Sequence, residues 1–339
     1  MIAILKKNAS ETEVGRLTAW IERKGLATHV SRGENEVIVG LVGDTSRIDP
    51  FLLESMDIVE RVQRVSEPFK KAGRAFHPAD TVVDCGHGVK LGGGYFQVIA
   101  GPCSVEGEGL ARIARRVRAA GATMLRGGAY KPRTSPYAYQ GMGERGLDLL
   151  REAADELDMP IVTEIMDPRD VQAFLDRRIE VLQVGARNAQ NFPLLKEIGK
   201  TDVPVLLKRG MAGTVDELLM AAEYIMSEGN PNVILCERGI RTYETRTRNT
   251  FDLNAVPVLH HLSHLPVVAD PSHATGYTRY VGPMALAATA AGADGLEIEV
   301  HDDPTHAWSD GAQALTPDMF DQVMERIRAI RAVVAPEVA

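Results

Sequence analysis

Four residues far apart in the chain, Cys103, His273, Glu299 and Asp310, would together make a mixed soft and hard ligand set. A thiolate, an imidazole and two carboxylates suit Mn²⁺, Fe²⁺, Co²⁺ or Zn²⁺, and suit Mg²⁺ or Ca²⁺ poorly because those ions prefer oxygen-only shells. Each residue also has a purely structural reading: Cys103 as a small apolar filler, His273 as a turn residue after Pro271-Ser272, and Asp310 as the start of a turn at Gly311. A second set is cationic: Arg126, Lys131, Arg133, Arg187, Lys208, Arg238 and Arg241. Arginine forks grip carboxylate and phosphate oxygens in pairs, so cations gathered in one place suit small substrates with several negative charges. The plain alternative is that they neutralise carboxylates on a surface.

Whether these residues meet depends on the elements that carry them. From Phe96 onward eight apolar runs, FQVIAG, ATMLRG, PIVTEI, VLQVG, VPVLLK, NVILCE, LPVVAD and DGLEIEV, alternate with helical patterns. The helices are predicted at 107–120, 143–158, 169–177, 192–198, 215–228, 251–262, 283–291 and 317–334. Continuous Val/Ile/Leu strands between helices describe a parallel sheet buried on both faces. Eight such units over about 240 residues fit an α/β fold of the (β/α)8 TIM-barrel type. An open doubly wound sheet gains nothing from the first strand–helix turn, Gly101-Pro102-Cys103-Ser104, which lacks the GxGxxG fingerprint. In a barrel the C-terminal strand ends carry function, and both sets fall at those ends or on the loops after them.

Ahead of the barrel, residues 1–7, 27–31, 36–42 and 57–65 read as strands, and 11–24 and 47–55 as helices. That order, βαββαβ, is ferredoxin-like. Ser10 with Glu13 three residues on is a capping box, and Gly25 a helix stop. The domains expected are thus 1–66, a Pro-containing basic linker at 67–80, and 81–339, the last opening with a hairpin (81–83 and 89–91) that would plug the barrel bottom.

A chain of 339 residues suits one large and one small domain. Its net charge of −8 argues against a general nucleic-acid binder, which needs an extended basic surface. No run approaches the roughly 18 apolar residues of a membrane span, and the first residues lack the order of a secretory signal, so a cytoplasmic protein is expected. Three dispersed cysteines make no disulfide framework. Cys85 and Cys236 read as structural. His260, His261 and His264, at the end of the 251–262 helix, are expected to favour its dipole or solvent.

From Phe96 to the C-terminus the chain resembles the type I DAHP (3-deoxy-D-arabino-heptulosonate 7-phosphate) synthases. The resemblance rests on GPCSVE (101–106), LRGGAYKPRTSP (125–136), GARN (185–188), LLKRG (206–210), ILCERGIRT (234–242), DPSH (270–273), EVH (299–301) and SDG (309–311). The hairpin and the βαββαβ unit are similar to those of the subgroup with a ferredoxin-like (ACT-like) regulatory domain. The resemblance implies metal-dependent condensation of phosphoenolpyruvate with D-erythrose 4-phosphate, releasing phosphate, as the first step of the shikimate pathway to the aromatic amino acids. It implies metal ligation by Cys103, His273, Glu299 and Asp310, phosphoenolpyruvate contacts at Arg126, Lys131, Arg187, Lys208 and Arg238, and an aldose-phosphate anchor at Arg133 and Thr134. Lys131, Glu164 and Lys208 are the residues expected to take part in catalysis, Glu164 as one group able to orient or deprotonate the attacking water, with a metal-bound water as the other.

Three other readings follow from the same residues. The sister activity, 3-deoxy-D-manno-octulosonate 8-phosphate synthase, usually carries an asparagine-containing segment where this chain has Lys131-Pro132-Arg133-Thr134, which favours the four-carbon aldehyde here. A Schiff-base aldolase would use Lys208 as its nucleophile. A sensor of aromatic amino acids would use the small domain above an inactive barrel. The small domain suggests tyrosine or phenylalanine as feedback effector, and a homodimer or homotetramer is expected.

Overall fold

A computed structural model of the chain describes residues 1–7, 9–32, 37–63, 68–107, 109–133 and 135–334. The chain divides into two compact units, Met1–Pro68 and Phe69–Ala339.

The first unit is an antiparallel sheet of order β2-β3-β1-β4 with two helices. Its elements are β1 (Ile2–Leu5), α1 (Glu11–Arg23), β2 (Ala27–Arg32), β3 (Val37–Val42), α2 (Pro50–Glu54) and β4 (Val59–Gln63). The Ser10–Glu13 capping box starts α1 as expected. Val14, Leu17 and Ile21, at helical spacing, turn one face of α1 inward to Ala3, Leu5, Val39 and Leu41. Complete burial of each such side chain is worth roughly 1.5–3 kcal/mol. The second helix is shorter than predicted because Asp49 caps it immediately before Pro50. Residues 64–67, which the reading gave to the end of the last strand and the start of a linker, lie outside the described residues.

The second unit begins with the hairpin β5 (Val83–Asp84) and β6 (Lys90–Leu91), shorter than the predicted pair. Eight parallel strands follow: β7 (Gln97–Gly101), β8 (Met124–Arg126), β9 (Ile161–Glu164), β10 (Val181–Val184), β11 (Val205–Lys208), β12 (Val233–Glu237), β13 (Val267–Ala269) and β14 (Gly295–Glu299). They close into a barrel in chain order, with β14 pairing β7. Around it run α3 (Gly109–Ala120), α4 (Glu144–Leu157), α5 (Val171–Asp176), α6 (Phe192–Gly199), α7 (Val215–Ser227), α8 (Ala255–Leu262), the short α9 (Pro271–Thr275), α10 (Thr278–Ala290) and α11 (Pro317–Val334).

Strand side chains alternate in direction, and two separate apolar layers record that alternation. Val98, Leu125, Leu182, Leu207, Leu235 and Leu296 belong to the layer between strands and helices. Ile99, Met124, Val162, Val181, Leu206, Cys236 and Val268 belong to the barrel interior, where Val83, Cys85 and Leu91 of the hairpin also pack. The inward parity, carried one step toward the C-terminal strand ends, reaches Arg126, Glu164, Gln183, Lys208, Arg238 and Asp270. The hairpin closes one end of the interior, and polar residues line the other.

Three further features differ from the sequence reading. Residues 69–80 are not a free linker: Phe69 and Ala72 are buried in the barrel's outer layer. The Glu223 carboxylate there accepts the backbone N–H groups of Lys70, Lys71 and Ala72 at 2.9–3.1 Å. His264 is buried rather than solvated, bonded to Thr81 Oγ1 at 2.6 Å and to the Lys71 carbonyl at 2.7 Å, because that same segment covers it. Finally, α10 starts at Thr278 with Pro283 inside it, whereas the proline signal suggested a start at 283.

Candidate active site

The residues at the polar end of the barrel interior form two linked layers. In the lower one, Lys208 is clasped between carboxylates, its Nζ donating to Asp270 Oδ2 at 2.7 Å and to Glu297 Oε1 at 3.0 Å. Arg126 Nε lies 3.1 Å from the same Glu297 oxygen, and its Nη1 donates to Glu299 Oε1 at 2.7 Å and to the Pro102 carbonyl at 3.0 Å. Asp270, Glu297 and Glu299 have no exposed surface, and Lys208 and Arg126 almost none. Buried charge on this scale survives only when paired.

Above this layer, one donor atom each from Cys103, His273, Glu299 and Asp310 comes within 4.8 Å of the others. Asp270, capping α9, fixes the imidazole: its Oδ1 accepts the His273 backbone N–H at 2.9 Å, and its Oδ2 lies 2.7 Å from Nδ1. With Nδ1 committed to that carboxylate, Nε2 faces Glu299 Oε1 at 3.2 Å. The Cys103 thiol donates to Asp310 Oδ2 at 3.4 Å, and Lys131 Nζ stands 3.0 Å from both the Cys103 sulfur and its carbonyl oxygen. Asp270, His273 and Glu297 form a second close group of possible ligands, but the Lys208 ammonium already bonds to its two carboxylates.

The electrostatics follow from burial and neighbours. Burial pushes the Cys103 thiol up to about 12, helped by the Glu299 charge and opposed by Lys131. Burial also raises Asp310, yet Arg248, His273 and Lys131 outweigh it and hold the carboxyl at about 2. Glu299 is lowered in the same way, with His273 and Arg126 overcoming its burial. Lys208 moves upward: burial pulls it down, but Asp270 and Glu297 hold it above the ordinary lysine range. Arg238, by contrast, is lowered by burial, and its Nε and Nη1 are buried with no hydrogen-bond partner.

The remaining predicted residues are spread around the mouth. Arg187 and Arg241 line one cleft of about 450 Å³ with Gly210 and Met211. Arg133 is half-buried, with Nε donating to the Tyr139 carbonyl; Thr134 lies outside the described residues. Glu164 ends β9 with Oε1 buried and unpartnered. Gly185 makes room for it, since a Cβ there would lie 1.9 Å from that oxygen. No helix among the described residues is long and apolar enough to cross a membrane.

Comparison with known proteins bears on this arrangement. Residues 78–332 match the DAHP synthetase I family, and residues 1–67 match the DAHP synthase ferredoxin-like domain. The chain belongs to the DAHP synthetase I family. It is 47% identical over 331 residues to the phospho-2-dehydro-3-deoxyheptonate aldolase of Thermotoga maritima, covering 97% of each chain. A crystal structure of that aldolase superposes with a TM-score of 0.93 at 46% identity, covering 98% of both chains. The 2-dehydro-3-deoxyphosphooctonate aldolase of Koribacter versatilis is 31% identical over 273 residues, 74% of this chain and 96% of its own. As a member of the DAHP synthetase I family the chain is an enzyme of the transferase type, and its barrel and small antiparallel domain are those of the family.

Several residues of the site were missed in the sequence. Asp270 and Glu297 stand outside both residue sets picked from the sequence; Asp270 has a signal, standing three residues before His273 as the cap of a Pro-initiated turn. Arg248 and Gln313, which reach Asp310 and Glu299, had none. The Arg209 side chain, next to Lys208, points outward to Glu237 Oε2 at 2.9 Å and Asp252 Oδ2 at 2.8 Å, bracing the loops after β11 and β12.

Proposed function

We propose that this enzyme is a metal-dependent DAHP synthase that condenses phosphoenolpyruvate with D-erythrose 4-phosphate and releases phosphate. The observation that carries the reading is the gathering of Cys103, His273, Glu299 and Asp310 beside Arg126 and Lys131 at the barrel mouth. The donor set fits Mn²⁺, Fe²⁺, Co²⁺ or Zn²⁺. A divalent ion held by these four supplies Lewis acidity to an aldehyde oxygen.

The chain's own residues account for the rest. In this reading Arg238, with two unpartnered buried nitrogens, Arg187 in the adjacent cleft, and Arg126 and Lys208 beneath hold the phosphate and carboxylate of phosphoenolpyruvate. Arg133 and Thr134 anchor the aldose phosphate. Carbon–carbon bond formation joins C3 of phosphoenolpyruvate to the aldehyde carbon, water adds at C2, and phosphate leaves from C2 with cleavage of the C–O bond. Lys131 delivers a proton to the oxygen of the former aldehyde, and the free Oε1 of Glu164 orients or deprotonates the water.

Both the heptonate and the octonate aldolases are relatives. End-to-end similarity to the former, small domain included, and the Lys131-Pro132-Arg133-Thr134 segment support the four-carbon aldehyde. The raised lysine and its two carboxylate partners speak against Lys208 as a Schiff-base nucleophile, which must lose its proton to attack. We assign the small domain to feedback control by tyrosine or phenylalanine in a homodimer or homotetramer.

One assay tests the proposal: phosphate release from phosphoenolpyruvate with erythrose 4-phosphate or arabinose 5-phosphate, with and without chelator. Turnover with the four-carbon sugar that the chelator abolishes is expected. Preference for arabinose 5-phosphate would make the enzyme an octulosonate synthase, and chelator-resistant turnover would remove the metal from the reading.

A further inference from the structure

Gln313 ends a 3-10 turn after Asp310 and is 2% exposed. Its Nε2 donates to Glu299 Oε2 at 2.5 Å, and its Oε1 accepts from Arg248 Nη1 at 2.9 Å. A guanidinium only donates, so the amide has one satisfactory orientation, with its carbonyl toward Arg248 and its NH₂ toward Glu299. Glu299 is thereby held at both oxygens, Oε1 by Arg126 and Oε2 by Gln313. Arg248 also lies 3.5 Å from Asp310 Oδ2.

The loop that carries Arg248 is fastened to the histidine as well. Backbone N–H groups of Arg248 and Asn249 donate to the Thr275 and Ala274 carbonyls, and Asn249 Nδ2 donates to the His273 carbonyl at 2.9 Å. Gly276 permits this approach: it ends α9 at φ +74°, and a Cβ there would lie 2.5 Å from Arg248 Cβ. Two consecutive loop residues and one glutamine thus touch three of the four donor-bearing segments.

We infer that Gln313 and Arg248 are positioning residues for the cation, holding the Glu299 and Asp310 carboxylates in place before it binds and so setting its affinity. The inference rests on the reading of Cys103, His273, Glu299 and Asp310 as cation ligands. A neutral amide suits the task because it orients Glu299 without adding to the positive charge that Arg126, Lys131 and Arg248 already place around the ligand set. Hydrogen-bond partners of metal ligands typically govern affinity by about 10–100-fold.

The test is titration of the full chain with Co²⁺, followed through the thiolate-to-cobalt absorbance band, in the wild type, Cys103→Ala, Gln313→Met, Arg248→Met and the double variant. Both single variants are expected to bind Co²⁺ about 10–100-fold more weakly, with the double variant little weaker than either, because one relay is broken in each. Charge alone predicts tighter binding when Arg248 is removed, so the direction of that change discriminates. Unchanged affinity in both single variants, tighter binding in Arg248→Met, or additive losses in the double variant overturn the inference. Should Gln313→Met fail to fold by circular dichroism, Arg248→Met, at a side chain 33% exposed, carries the test. A wild-type band that is absent, or that survives Cys103→Ala, overturns the ligand reading and this inference with it; a normal band unchanged in the variants overturns the inference alone.

Discussion

The Lys131 ammonium stands 3.0 Å from the Cys103 sulfur, which puts a proton donor against the same thiol that faces Asp310. The two residues should therefore separate on mutation. Cys103→Ala is expected to lose Co²⁺ binding by at least about 100-fold, the upper end of what even an outer partner of a ligand costs. Lys131→Met should still give the thiolate–Co²⁺ band at saturating Co²⁺ while kcat falls by about 10²–10⁴-fold, the range for a positioned proton donor. Absorbance titration and phosphate release measure the two effects, and loss of the band in Lys131→Met would contradict the separation.

Lys208 answers two buried carboxylates, Asp270 and Glu297. Lys208→Met takes the ammonium from both, leaving Arg126 beside Glu297 and His273 beside Asp270, and stability is expected to fall by about 3–5 kcal/mol, as when one partner of a buried ion pair is removed. Urea unfolding reads this directly. Borohydride treatment with substrate should leave Lys208 unmodified, and a trapped adduct found by mass spectrometry would restore the Schiff-base mechanism.

Glu164 Oε1, buried and without a partner, occupies space that a side chain at residue 185 would take. Gly185→Ala must push that carboxylate aside, so it should lower kcat as Glu164→Gln does. The double variant should be no worse than the poorer single one, since both act through one group. Additive losses would show that Gly185 serves something other than Glu164.

At the hairpin, His87 bonds to Asp158 at 2.5 Å and to Glu180 at 3.1 Å. The Asp158 hydrogen bond raises its pKa against a smaller opposing effect of burial, with Glu180 adding to the rise. A raised folded-state pKa gives stability that is fully present below the unfolded value, about 6.5, and is lost as pH rises through the folded value. The Tm difference between wild type and His87→Gln should be larger at pH 6 than at pH 9. A difference independent of pH would refute the assignment.

Much of this was readable in the chain itself. Eight apolar runs alternating with helices pointed to a parallel sheet, because a continuous Val/Ile/Leu strand must be covered on both faces, and their number over about 240 residues pointed to a barrel. Residue type together with placement at the strand ends, and the family resemblance, marked Cys103, His273, Glu299 and Asp310 as a possible ligand set, and Ser10 with Glu13 marked a helix start that the structure retains. The small domain's order of elements was likewise local information, carried by caps, glycines and alternation.

Only the tertiary structure decided which charges are partners. That Lys208 belongs to Asp270 and Glu297, that Asp270 steers His273, and that Gln313 and Arg248 hold Glu299 and Asp310 are contacts across 3 to 89 residues of sequence. The same is true of residues 69–80, whose composition reads as a linker but in which the N–H groups of Lys70, Lys71 and Ala72 are taken up by Glu223, more than 150 residues away. Propensity and periodicity record what a segment prefers by itself. Pairing depends on which side chains closure of the barrel brings within hydrogen-bond reach, and in a buried, low-dielectric interior a charge left without such a partner is costly.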